Sequence, residues 1–137
     1  MITGEGGLLY LEVEDILALY AVIVGCSVQE AADHLLRGEA LEGALSRPLS
    51  HAIYGGADLA LQAAVLTHGI VNDHPFIDAN KRTAGLSCIT FLEENGYQLT
   101  IRDKELALWI RRLSEGLPPE PFADFLRAGL MRSGNIS

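Results

Sequence analysis

A chain of 137 residues with 49% hydrophobic side chains and a mean hydropathy of +0.22 can bury a core without disulfides, which excludes a disordered protein. Its uninterrupted apolar runs are too short to cross a bilayer, so a membrane protein is excluded as well. Eighteen acidic against ten basic residues leave a net charge of −8; such a surface repels a nucleic-acid backbone, although a local cluster of donors suffices for one nucleotide.

The first residues, Met1-Ile2-Thr3-Gly4-Glu5, carry neither a positive segment nor an apolar run with a cleavage site, so the expected location is the cytoplasm. Periodicity and breakers predict helices over Val13–Val24 and Val28–Leu36. A short helix over Glu39–Leu45 is expected next. Ser46-Arg47-Pro48 and Tyr54-Gly55-Gly56 follow, and they suit a loop or small hairpin. Further helices are predicted over Ala57–Asn72, Asn80–Asn95, Lys104–Glu115 and Pro119–Arg132, with Tyr97–Ile101 as a short extended link and Ser133–Ser137 as a frayed tail. The fold class is therefore all-α. No repeat or low-complexity linker divides the chain, so residues 1–137 form a single domain. Cys26 and Cys88 stand far apart in apolar surroundings and read as free core thiols.

Two of these helices are apolar nearly all round, as in Leu59-Ala60-Leu61-Gln62-Ala63-Ala64-Val65-Leu66 and Ala84-Gly85-Leu86-Ser87-Cys88-Ile89. Such helices lie at the centre of a fold, with amphipathic helices around them. The polar stretch from Asn72 to Arg82 joins them, and a dense polar loop between two core helices suits reactive groups held on a rigid scaffold. His74 is the candidate base, having an unperturbed pKa near neutral. Asp78 offers a carboxylate for Mg2+. Asn80, Lys81 and Arg82 open the second helix, where free N–H groups and the helix dipole favour phosphate.

Each of these residues also admits a plainer structural role. Asp78 can be a simple N-cap, and His74 an ordinary loop histidine. Lys81 and Arg82 can be a solvated first turn, although cations at a helix N-terminus oppose the dipole. His68 reads as a core histidine, and His34 and His51 show no pattern that singles them out. A metal-dependent phosphohydrolase built on His68, Asp73, His74 and Asp78 is a remote alternative, as is a catalytically silent interaction module.

The contiguous run His74-Pro75-Phe76-Ile77-Asp78-Ala79-Asn80-Lys81-Arg82-Thr83-Ala84 resembles the signature of the Fic/Doc family. Arg47-Pro48 and Tyr54-Gly55-Gly56 are similar to the death-on-curing branch of that family. The resemblance implies a Fic-type helical domain with two central buried helices and a small hairpin or flap ahead of the motif. It implies His74 as base, Asp78 as metal ligand, Phe76 as loop anchor, and Asn80, Lys81 and Arg82 as phosphate-binding residues. Arg47 and Tyr54 mark the flap that aligns a target protein by strand addition.

AMP-transferring members usually carry Gly at the positions of Ala79 and Lys81, and a second Arg at that of Gly85. The departures favour the death-on-curing branch, which implies a protein Ser/Thr kinase using ATP and Mg2+ as the toxin of a type II toxin–antitoxin pair. The implied target is elongation factor Tu, modified on a threonine so that translation stops; AMP transfer is the alternative. Thr90–Asn95 matches a short inhibitory-helix pattern but lies too far along the helix to reach a nucleotide. Restraint is therefore expected from an antitoxin with a disordered tail that folds on the toxin, in a groove lined by the last two helices.

Overall fold

A computed structural model of the chain describes residues 1–4 and 6–135. In chain order the elements are β1 (Ile2–Thr3), β2 (Leu9–Tyr10), α1 (Val13–Val24), α2 (Val28–His34), α3 (Gly38–Gly55), α4 (Leu59–Asp73) and α5 (Asn80–Glu94). They continue with β3 (Tyr97–Leu99), α6 (Asp103–Ser114), α7 (Pro119–Gly129), β4 (Leu130–Arg132) and a 3-10 turn at Ser133–Asn135. Ile136 and Ser137, the end of the tail expected to fray, lie outside the described residues. Among the described residues no single helix is long and apolar enough to cross a membrane.

The two all-round apolar segments become α4 and α5 and lie at the centre, as their composition requires. Ala63, Ala64, Ile70 and Val71 of α4 and Ala84, Cys88 and Leu92 of α5 are fully buried. Their buried hydroxyls are satisfied locally: Thr67 donates to the Ala63 carbonyl at 2.7 Å, and Ser87 to the Thr83 carbonyl at 2.7 Å. Helix starts follow the capping rules. Ser27 and Glu30 form a capping box on α2, and Asp58 caps α4 by accepting from the Leu61 N–H at 2.9 Å.

The hairpin or flap expected around Arg47–Tyr54 is absent there, because α3 continues through Pro48 to Gly55. Proline removes one helical hydrogen bond and is costly inside a helix. Here Leu41, Ala44 and Pro48 all face inward and are buried, so packing against α4 outweighs that cost. The crossing is close enough to require glycine: a Cβ at Gly69 would stand 2.9 Å from the Ala44 Cβ. A small antiparallel hairpin does exist, but at the N-terminus, where Ile2 pairs with Tyr10 and Thr3 with Leu9.

The last predicted helix is also shortened. It ends at Gly129, and Leu130–Arg132 turns back as β4 to pair antiparallel with β3. An added Cβ at Gly129 would come 2.6 Å from Ile101 Cγ1, so the chain can pass there only as glycine. Phe122, Ala123 and Leu126 of α7 and Leu106, Ile110 and Leu113 of α6 are buried. Outside this core, Trp109 of α6 and Phe125 of α7 stack with centroids 4.7 Å apart and are only partly buried. Cys88 is buried as expected, whereas Cys26 is only half-buried; both are free thiols.

Candidate active site

Between α4 and α5 the chain reverses through two non-glycine residues in the left-handed region, His74 (φ 46°) and Ala79 (φ 57°), which are the only such residues among those described. Each conformation costs roughly 1–2 kcal/mol for an L-residue, so the surroundings must hold it. They do so from three sides. The short segment after α2 forms an antiparallel bridge, Leu35 to Phe76. The Leu36 and Arg37 N–H groups donate to the Pro75 carbonyl at 2.8 and 3.0 Å, and the Ile77 N–H donates to the His34 carbonyl at 3.0 Å.

From the α5 side, Asn80 Oδ1 accepts from the Phe76 N–H at 3.0 Å and Asn80 Nδ2 donates to the Phe76 carbonyl at 3.0 Å. The Asn80 amide, expected to orient phosphate, is therefore chiefly a staple across the loop, with one Nδ2 hydrogen to spare. Phe76 is the anchor the sequence indicated: it is buried and stacks on Tyr20 with centroids 4.2 Å apart and planes 9° from parallel.

From the α3 side, Arg47 reaches the end of α4. Its Nη2 lies 3.1 Å from Asp73 Oδ2, a charge contact whose alignment misses a hydrogen bond. Arg37 Nη1 donates to the Asp73 carbonyl at 3.3 Å. Two guanidinium groups thus grip the residue before His74. Arg47 supports the loop from within a helix and does not sit on a flap. Tyr54 is 88% exposed near the C-terminal end of α3 and takes no part in the loop. His68, half-buried on α4, has its pKa lowered by burial and by the nearby Arg47 charge, which keeps it neutral.

Held in this way, the loop presents a cavity of about 350 Å3 lined by His74, Ala79, Asn80, Lys81 and Arg82. The N-cap of α5 is Ala79 and supplies no side-chain bond, so the helix start is left for an external acceptor. This geometry also removes the capping reading of Asp78, which stands one residue earlier. Lys81 and Arg82 line a second cavity too, of about 440 Å3, whose other walls include Gly85, Leu106 and Ile110. The two share Lys81 and Arg82, and the second adds Asp103 and Arg111 to its apolar walls. A Cβ at Gly85 would approach Ile110 Cδ1 to 3.1 Å, a contact that a small shift of the Ile110 side chain relieves.

Asp78 is exposed, but one of its oxygens is tied inward. Tyr20 Oη donates to Asp78 Oδ1 at 2.5 Å, and His34 Nδ1 lies 2.9 Å from the same hydroxyl. Burial, reinforced by the Asp78 carboxylate, pushes the Tyr20 pKa up to about 12, so the phenol keeps its proton and remains a donor. Neither Tyr20 nor His34 was singled out by the sequence. Tyr20 lies in an apolar helix and reads as core, and its partner is 58 residues away.

Among the described residues no three His, Cys, Asp or Glu side chains gather as a metal cluster. Asp73 is engaged by Arg47, so the dinuclear hydrolase arrangement has no ligand set. One exposed carboxylate, one residue before a cavity wall at Ala79, is the kind of donor Mg2+ uses together with substrate phosphates and water. Glu93 and Glu94 of the inhibitory-like pattern are exposed at the far end of α5, about 20 Å along the axis from Asn80.

The Fic/DOC family model matches residues 10–92, a span from β2 almost to the end of α5 that includes the whole loop. The chain is also similar to Toxin Doc of Mycolicibacterium smegmatis, with 35% identity over 94 residues, covering 66% of this chain and 67% of that protein.

Proposed function

Because this chain belongs to the Fic/DOC family, whose members transfer a nucleotide-derived group to proteins, we propose that it is a toxin that moves the terminal phosphate of ATP to a hydroxyl of a target protein. The observation that carries this reading is the strained loop, which sets an imidazole and a cationic helix start around one cavity and leaves the exposed Asp78 carboxylate on the residue before Ala79. A protein that only docked to a partner would have no need to maintain two left-handed residues there.

In the proposed reaction, His74 takes the proton from the target hydroxyl as its oxygen attacks the γ-phosphorus. The bond to the bridging oxygen of the β-phosphate breaks, and ADP leaves. Lys81, Arg82 and the N-terminus of α5 stabilise the charge that builds on the phosphoryl oxygens. Mg2+ held by Asp78 would supply further neutralisation of the phosphates. The nucleoside end of the substrate is assigned to the cavity beside Gly85, where Leu106, Ala107 and Ile110 offer apolar contact.

Three features favour phosphate transfer over AMP transfer. Lys81 lines both cavities and occupies space that a glycine would leave open. Ala79 narrows the turn. Gly85 has no side chain, so no further cation stands at that position of the cavity wall. Elongation factor Tu is the proposed target, and an antitoxin with a tail that folds on binding is the proposed restraint. Arg47 and Tyr54 stand within helix α3, so neither offers a strand edge for target docking.

Expression of the chain alone should stop bacterial growth, and His74→Ala should abolish the arrest without unfolding the protein. A folded His74→Ala variant that arrests growth as strongly as the parent would overturn the proposed role of the base.

A further inference from the structure

Asp78 stands in a loop, exposed, at the point where a flexible carboxylate would be expected to sample several rotamers. Instead, its Oδ1 accepts from the hydroxyl of a fully buried tyrosine. A phenol has a single hydrogen, and that hydrogen is committed to Asp78. His34 Nδ1, 2.9 Å away, must therefore carry a proton and donate to the phenol oxygen. This fixes both the hydroxyl rotor and the imidazole tautomer.

The ring of Tyr20 is immobilised in turn by its stack on Phe76, and His34 meets it edge-on at 89°. The His34 carbonyl accepts from the Ile77 N–H, so the same segment orders the backbone immediately before Asp78. Every link in this chain is anchored in the core or in main chain. Asp78 Oδ2 has no hydrogen-bond partner among the described residues.

We infer that Tyr20 is a positioning residue of the transfer site: its hydroxyl, set by His34, holds Asp78 Oδ1 against the protein and leaves Oδ2 as the oxygen offered to the divalent cation that accompanies the nucleotide. The inference rests on the phosphate-transfer reading. Outer partners of a metal-binding carboxylate commonly change metal affinity by an order of magnitude when removed. Tyr20→Phe removes only the hydroxyl and keeps the stacked ring.

The test compares the full-length chain, Tyr20→Phe and Asp78→Asn for binding of a non-hydrolysable ATP analogue by calorimetric titration, with Mg2+ and again with a chelator. Tyr20→Phe should bind about tenfold more weakly in Mg2+ and unchanged in chelator. Asp78→Asn should show the same pattern more strongly. If Tyr20→Phe matches the parent in Mg2+ while Asp78→Asn is weakened, this inference is wrong, while Asp78 keeps its role toward the cation that the proposed function gives it. An equal loss with and without Mg2+ would also overturn it, marking a general disturbance of the loop. If the parent shows no Mg2+-dependent affinity at all, the phosphate-transfer reading fails and takes this inference with it.

Discussion

At the scale of single residues, His74 and Ala79 show how the chain accepts local strain to aim a site. Both are left-handed without being glycine, and the staple from Asn80 and the bridge from Leu35 hold them there. Ala79 is the sharper case, because its methyl group can make no hydrogen bond that would offset the strain. Ala79→Gly should therefore stabilise the protein by about 1 kcal/mol in urea unfolding, through relief of the left-handed penalty. A neutral or destabilising result would show that the alanine methyl contributes packing worth as much as the strain. The residues from His74 to Arg82 were legible in the sequence because their chemistry is contiguous and bracketed by apolar helices. Tyr20, His34 and the true position of Arg47 were not, since their roles depend on contacts between distant parts of the chain.

At the scale of elements, most helices matched their periodicity to within a residue or two, and the misses have physical causes. Pro48 and the Tyr54-Gly55-Gly56 run read as breakers, but burial of one face of α3 against α4 overrides them until Gly56 ends the helix at φ 64°. Leu130–Arg132 continued the pattern of α7, yet Gly129 marks the point where the chain leaves the helix to pair with β3. The short N-terminal hairpin had no alternation long enough to reveal it.

Asp58 joins elements in a way that can be measured. It caps α4 and accepts from Arg127 of α7 at 2.7 and 3.0 Å, and this hydrogen-bonded guanidinium holds its pKa below the ordinary 3.8. A lowered carboxylate pKa means that the contribution is present above pH 3.8 and fades as pH falls through the lower folded value. The pair is exposed, so Asp58→Asn, which retains a capping side chain, should cost less than about 1 kcal/mol at pH 7. That difference should close in denaturation curves taken below pH 4, and a gap that persists at pH 2 would contradict the account. Asp58→Ala should cost about 1 kcal/mol more by losing the cap as well.

At the scale of the whole molecule, a net charge of −8 surrounds one cationic helix start. The acidic surface disfavours polyanions in general, while Lys81 and Arg82 are the proposed place for one anion. Around that place the central helices supply rigidity, α2 and its following segment brace the loop, and α6 walls the cavity beside Gly85. The most direct measurement of the proposed phosphate transfer is incubation of the purified chain with elongation factor Tu and ATP labelled at either the α or the γ phosphate. Label should enter the factor from the γ position and none from the α position, and His74→Ala should abolish it. Label entering from the α position alone would show that AMP is transferred, and would contradict the reading of Ala79, Lys81 and Gly85.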